Sequence, residues 1–409
     1  MILYLRLAWR NVWRNKRRTL IVIIAVALGL ALMVFYDGLM AGATKDLYSK
    51  VVRLLGGNIQ IHATGYREKS KRMPLLALPD AEAAVQAASA QPEVIAASRR
   101  INTSGMISNR EGSFPLTIFG IEPELEAPVG LIAQNIVAGS YLQSNDQDMI
   151  LLGQAQADRM EVGIGDRITL IGQATHDQMR RRTMTVIGIY DLGLPEYEKH
   201  AAYISLTEAQ RLFGLRDQAT EVVIALQKVG LEGDIVNELQ TALPAYEVDS
   251  WQVANPEMVQ TIERKSSFMN MFGGIILLIA AIGILNLLLM AVLERTREIG
   301  LLGAMGLKPG QIMVLFLLEG VMMGLLGALC GIGLGLVLII IVGRIGIDIS
   351  QFAGVSSMTA IMAGRMYPVP AYGLLFNRIL TVTIIAAIAA LYPAREASKR
   401  DPADALHYV

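Results

Sequence analysis

The stretch TLIVIIAVALGLALMVFYDGL, from Thr19 to Leu39, contains a single charged residue, Asp37, and constrains the fold more than any other segment. A helix needs about 20 apolar residues to cross roughly 30 Å of hydrocarbon, where every backbone N–H and C=O must be paired internally. The run therefore reads as a membrane helix. A chain that is 53% hydrophobic and 18% charged, with a mean hydropathy of +0.44, fits the same class throughout.

Ahead of the run stands RLAWRNVWRNKRRT, crowded with Arg and Lys and punctuated by Trp9 and Trp13. The run exceeds the apolar core of a signal peptide and no clear small-x-small cleavage site follows at the right distance, so residues 19–39 are expected to be a retained span. Positive charge marks the cytoplasmic flank, and residues 1–18 are expected to form a basic amphipathic helix against the inner leaflet.

Residues 40–265 hold no spanning segment. NIQIHA, FPLTIFGI, RITLIG, TMTVIGIY, AAYISL and EVVIAL read as strands, while DAEAAVQAAS, LTEAQRLFG (opened by Thr207) and LEGDIVNELQTAL read as helices. This order predicts an extracytoplasmic α+β domain, with two subdomains meeting near Gly139 to Asp148. Further spans are expected at 267–293, 311–343 and 374–393. A cytoplasmic segment (294–310), an extracytoplasmic loop (344–373) and a cytoplasmic tail (394–409) join or follow them. The fold class is thus a membrane α-helical protein with four transmembrane helices, one plus three, carrying a large extracytoplasmic α+β domain. Arg378 interrupts the last span and is expected to snorkel outward. Met358, Met362 and Met366, at i, i+4 and i+8, suggest an amphipathic helix on the outer leaflet.

Other chemistry is sparse. Lys+Arg and Asp+Glu balance at 36 each, which gives no global charge for nucleic acid. The single cysteine, Cys330, excludes an intrachain disulfide, and His62, His176, His200 and His407 share no zinc-binding spacing and read as ordinary surface histidines. The patch MRRRT at Met179–Thr183 reads as a solvated hairpin tip.

The segment REIGLLGAMGLKPGQI, Arg297–Ile312, superficially suggests a phosphate loop. A P-loop needs GxxxxGK[ST], but Leu307 separates Gly306 from Lys308 and Pro309 stands where the hydroxyl belongs. Nucleotide binding is excluded here. What remains is a helix end with Ile299, Leu302 and Met305 at i, i+3 and i+6, and small Gly300, Gly303, Ala304 and Gly306 between them. Gly306 suits a helix C′ position and Pro309 the start of the next helix. A tight reversal and a docking surface both fit.

In the third span Gly320, Gly324, Gly327, Gly331 and Gly335 form a small-residue stripe for close helix packing, within the chain or across a dimer. Glu319 beside it is expected to pair with a basic residue of the N-terminal helix or to stay near the headgroups. Asn286 is expected to hydrogen-bond between helices. Met269, Met271 and Met290 read as membrane packing.

ERTREIGLLGAMGLKPGQIMVLFLLEG resembles the cytoplasmic coupling segment of the FtsX/MacB/LolC/LolE permeases of the ABC superfamily. LYPAREASKRDPADAL resembles that family's C-terminal signature, LAWRNVWRNKRRTLIVIIAVALGLAL its opening, and ILLGQAQADRMEVGIGDRITL a segment of its outer domain. The resemblance runs nearly end to end. It implies a permease subunit that is not itself an enzyme and binds no cofactor. ATP and magnesium belong to a separate ABC ATPase dimer, and a second permease, identical or paralogous, completes the complex. Arg297, Glu298, Ile299, Gly300, Leu302, Gly303, Ala304, Met305 and Gly306 would contact the ATPase.

GGNIQIHATGY and the chain length look closest to the lipoprotein-releasing LolC/LolE branch. That branch implies an inner-membrane protein with both termini cytoplasmic, which releases a lipoprotein or lipid-like substrate from the outer leaflet, with a lipoprotein or other periplasmic partner and no nucleic acid. The branch's projecting carrier-capturing hairpin corresponds here to the short QATHDQMRRR. A MacB-like exporter of peptides or antibiotics and an FtsX-like regulator of a cell-wall hydrolase are the alternatives.

Overall fold

The computed structural model describes residues 2–14, 16–69, 74–174, 178–293, 301–302, 305–348 and 365–399. The chain divides into two units. One comprises Met1–Thr44, Glu263–Asp348 and Arg365–Val409, the other Lys45–Ile262 and Ile349–Gly364.

Helix α1 (Ile2–Arg14) is followed by α2 (Lys16–Leu55), a helix of 40 residues that does not stop at Leu39. Past the apolar run its sequence turns amphipathic. Leu47, Val51 and Leu54, at i, i+4 and i+7, are buried, so packing prolongs a helix that the bilayer alone does not require.

The second unit then builds β1 (Ile59–Ala63), α3 (Tyr66–Lys69), α4 (Ala81–Ser89), β2 (Val94–Ser108), β3 (Ser113–Ile121), α5 (Pro123–Glu126), β4 (Ile136–Gly139), β5 (Met149–Gly153), α6 (Gln154–Met160), β6 (Arg167–Gln173), β7 (Met179–Tyr190), α7 (Pro195–Glu198), β8 (Ala201–Ser205), α8 (Leu206–Phe213), β9 (Glu221–Leu226), α9 (Glu232–Ala242), β10 (Tyr246–Ser250) and α10 (Trp251–Ala254). The α+β character follows from this order.

The strand pairings form two regions joined by β2. Its first half pairs antiparallel with β9, in the open order β10-β1-β9-β2. Its second half pairs with both β3 and β6. The pairings β3–β8, β8–β5, β5–β7 and β7–β6 complete a ring with it, a closed six-stranded barrel. The two regions therefore meet inside β2, at Arg100–Ile101, rather than near Gly139–Asp148. Fifteen residues rich in β-branched side chains and free of proline make so long a strand affordable in one piece.

Each region has its own core. In the barrel Ile107, Ile118, Ile150, Leu170, Met184 and Val186 meet Leu212 and Phe213 of α8. Ser205 caps α8, accepting from the Glu208 N–H at 3.3 Å, and Gly214 ends it with φ 76°, so the helix starts before Thr207. A β-carbon on Gly120 would lie 2.2 Å from Ala209 Cβ, which shows how closely α8 seats on β3. In the open sheet Ile59, Ile61, Val222, Ile224 and Val248 meet α4 and α9.

The remaining elements are α11 (Pro256–Leu293), α12 (Pro309–Ile345), the two-residue strands β11 (Ile347–Asp348) and β12 (Arg365–Met366), and α13 (Tyr372–Lys399). Thr19–Leu55, α12 and Tyr372–Leu391 are long and apolar enough to cross a membrane, and the described apolar stretch of α11 is the shorter Met271–Gly283. The expected four spans thus comprise three helices that meet the requirement unaided and α11. Met366 pairs with Ile347 in a strand, not on an amphipathic helix, because its backbone hydrogen bonds go across to β11. Met358 and Met362 lie outside the described residues.

Candidate functional site

Of the expected ATPase contacts, Arg297, Glu298, Ile299, Gly300, Gly303 and Ala304 lie outside the described residues, while Leu302, Met305 and Gly306 are described. Gly306 has φ +93°, and the Leu307 N–H donates to Leu302 O at 3.2 Å. This six-to-one bond over a left-handed glycine is a Schellman closure. The apolar contact that accompanies such closures is present: Leu302 and Leu307 both pack against Ile312 and Phe316. The next helix starts at once, because Pro309 has no N–H to leave unpaired and the Lys308 N–H donates to Gln311 Oε1 at 2.9 Å. Leu302 is thus turned toward α12 and half-buried there. The exposed apolar side chains here are Met305, 67% exposed, and Leu301.

The five glycines of the stripe on α12 are all placed against helices of the same chain. Added β-carbons at Gly320 and Gly324 would lie 2.5 Å from Ala390 and Ala386 of α13. At Gly327, Gly331 and Gly335 they would crowd Val26, Ala27 and Val34 of α2 within 2.8 Å. The stripe is the wedge on which α2 and α13 both rest. Arg378 does not snorkel. Its guanidinium is bidentate on Asp37, with Nε and Nη2 at 2.7 and 2.8 Å from the carboxylate, which neutralises both charges and ties α13 to α2. Glu319 is buried on α12, whereas Asn286 on α11 is exposed among the described residues. Met271 and Met290 are exposed; the Met269 side chain lies outside the described residues.

A second site was not foreseen. One face of the open sheet is apolar, yet the opposite face buries Gln60, His62, Ser98, Arg100, Glu221 and Asp249. At its centre Arg100, 3% exposed, donates from Nε and Nη2 to Glu126 at 3.1 and 2.6 Å and from Nη1 to the Leu55 carbonyl at 2.8 Å. Leu55 is the last residue of α2, so a buried cation sits on the negative end of that helix. Gly56 follows with φ +86°, and a side chain there would strike Arg100 Nη2 at 2.0 Å. Arg53, one turn back, donates from Nε to Val129 O at 3.3 Å and from Nη2 to Gln134 Oε1 at 2.6 Å. Asn58 bridges Glu232 and the Leu226 N–H, each at 2.9 Å. The end of α2 is pinned into the sheet by polar bonds on every side.

Behind the pin His62 Nε2 lies 3.1 Å from Glu221 Oε2, and its ring stacks on Tyr66 at 3.7 Å. His62 is thus 1% exposed and not a surface histidine, because β1 is covered on both faces. Burial would raise the Glu221 carboxyl, but the His62 hydrogen bond and the nearby His62 and Arg100 charges outweigh it and leave the group below its ordinary value. Burial likewise opposes the Arg100 charge and is outweighed by Glu126, so Arg100 stays protonated. Two adjacent arginines inside an otherwise strand-like run, VIAASRRINTSG, were the available signal.

Within MRRRT, Arg180 and Arg181 are exposed, but Arg182 reaches buried Glu208 at 2.7 Å, so the patch is partly internal. Strands β6 and β7 pair as far as Gln173 with Met179, and the Ala174 N–H donates to Gln178 O at 2.7 Å; residues 175–177 lie outside the described residues.

Residues 19–242 match the MacB-like periplasmic core domain and residues 270–402 the FtsX-like permease C-terminal domain. The lipoprotein-releasing system transmembrane protein LolC of Xylella fastidiosa (strain Temecula1) is 24% identical over 94% of this chain and 92% of its own length. LolC of Neisseria meningitidis serogroup B is 25% identical over 99% and 97%. The macrolide export ATP-binding/permease protein MacB of Hyphomonas neptunium is 24% identical over 98% of this chain and 60% of its own length. The crystal structure of the periplasmic region of MacB from Actinobacillus actinomycetemcomitans superposes with a TM-score of 0.35 at 12% identity, over 51% of this chain and 92% of that one. With over half its length matched by one of these two domain models and its remaining helices by the other, the chain belongs to the ABC transporter permeases of the LolC/MacB/FtsX type.

Proposed function

We propose that this permease relays the work of a separate ABC ATPase to its extracytoplasmic domain, acting with a second permease and with both termini in the cytoplasm. The observation that carries the reading is the closure at Leu302–Pro309. A glycine-rich helix end is locked by its own hydrogen bonds and projects Met305, so a push received there passes directly into α12. Placing the ATPase on another chain takes its support from the relatives named as transmembrane proteins, which this chain matches over 92% and 97% of their own length. The basic residues ahead of the apolar run of α2 and at the end of α13, Arg395 and Lys399 followed by Arg400, support the orientation.

The substrate is a lipoprotein or lipid-like molecule drawn from the outer leaflet. This finer reading takes its support from the LolC relatives, whose names describe lipoprotein release. The tight β6–β7 hairpin favours a second reading, export of a small molecule without hairpin-mediated carrier capture, as the MacB relative's name would suggest.

Substituting Gly303→Trp and purifying the native complex tests the coupling surface. The ATPase is expected to be lost while the permease still extracts into detergent, and undiminished co-purification refutes the assignment. Mass spectrometry of molecules retained without ATP separates the substrates: acylated protein favours release, and a small amphiphile favours export.

A further inference from the structure

The N-terminal helix presents a surface that the coupling function leaves unused. Between Met1 and Tyr36 the sequence holds Arg6, Arg10, Arg14, Lys16, Arg17 and Arg18 and no Asp or Glu. On α1 the side chains sort into three stripes, as expected at 3.6 residues per turn. Ala8 and Val12, both 0% exposed, face protein; Val12 joins the cluster that holds Val22 and Met323. Thr19 Oγ1 donates to Val12 O at 2.6 Å and fixes the bend between α1 and α2. Next around the helix come Trp9 and Trp13, 47% and 48% exposed, edge to face with ring centroids 5.9 Å apart. Beyond them lie Arg6 and Arg10, exposed and one turn apart.

A solvated face does not carry two neighbouring exposed tryptophans. Nor does a helix buried in acyl chains carry arginines along the next stripe. Tryptophan bordered by arginine matches the boundary where hydrocarbon gives way to headgroup, and the absence of acidic residues selects the sign of that headgroup. We propose that α1 is an anionic-phospholipid site, with Arg6 and Arg10 holding the headgroup phosphate and Trp9 and Trp13 entering the acyl boundary. The proposal rests on the reading of α2, α12 and α13 as membrane spans. Since α1 packs on α12, whose first turn follows the Met305 projection, lipid charge would bear on the same helix that receives the ATPase.

The chain carries three tryptophans, and the third, Trp251, is 0% exposed in the other unit and serves as an internal reference. The full chain is reconstituted in phosphatidylcholine vesicles containing equal small fractions of brominated phosphatidylglycerol or brominated phosphatidylcholine. The anionic quencher is expected to dim the fluorescence more, and Arg6→Gln with Arg10→Gln to lower that preference by about fivefold per arginine. The same variant should keep its quenching by brominated phosphatidylcholine, and Trp9→Phe with Trp13→Phe should abolish both signals. Equal quenching by the two lipids in the native chain would overturn headgroup recognition. Absence of quenching by either would show that protein covers α1, and flotation of the chain with vesicles in that case would leave the membrane reading standing.

Discussion

The two sheet regions of the extracytoplasmic domain share one strand and are built on opposite principles. The barrel side of β2 is apolar inside and closed by hydrogen bonds around its circumference, so its stability is spread over many equivalent contacts. The open side is apolar on one face, but on the other it buries Arg100, Glu126, Glu221 and His62, where the loss of one member strands the rest. A barrel core tolerates small displacements because dispersion is non-directional, whereas a bidentate buried ion pair on a helix end has one geometry and loses its bonds when that geometry shifts.

The contrast can be broken most severely at its ionic side. Arg100→Met leaves Glu126 and Glu221 without their cation and the Leu55 carbonyl without its donor, and is expected to cost about 3–5 kcal/mol, read as thermal unfolding of the purified chain. A loss under about 1 kcal/mol would show that the face is wet and the pin dispensable. On the barrel side, Gly120→Val forces a side chain into Ala209 and should cost about 1–3 kcal/mol while leaving protection of the open sheet unchanged by hydrogen exchange. Loss of protection in both regions together would mean that they unfold as one.

Acid sharpens the contrast further. The folded Glu221 carboxyl lies below its ordinary value of 4.5, so its contribution is fully present above that pH and is lost as the pH falls through the lowered value. Amides of β1 and β9 should therefore lose protection before those of β6 and β7 on acidification, and the reverse order would place the acid-sensitive group in the barrel. The smallest effect is expected at Asp46–Lys50, a partly exposed pair on α2 before the pin. Lys50→Ala should change stability by about 0.3–0.5 kcal/mol, and a larger change would mean that α2 is held along its length rather than at its end.

Much of this was legible in local patterns. The apolar runs at 19–39 and 311–343 show their length directly, and Gly306-Leu307-Lys308-Pro309 carries the marks of a helix stop and restart that the backbone displays. Ring closure was not legible, because β2 pairs with β6 and β9 across gaps that no periodicity records. Arg378 was misjudged because its partner Asp37 stands 341 residues away. His62 was misjudged because alternation in NIQIHA says that one face is polar but not that both are covered. That Leu302, a coupling-segment residue by resemblance, packs toward Ile312 follows from the Schellman bond, which spacing does not encode.

The edge position of β10 has a consequence for how the protein is made. This strand pairs with β1, almost two hundred residues earlier, and only Trp251 to Asn255 separate its end from the next long helix. During synthesis the end of α2 and β1 must wait beyond the membrane with an unpaired edge until nearly the whole domain has been translocated. The sheet is then completed just as α11 reaches the insertion machinery, so late closure of a long-range pairing and arrival of a new apolar helix coincide. A pause in synthesis after β10 has left the ribosome would give the domain time to fold before the rest of the chain follows.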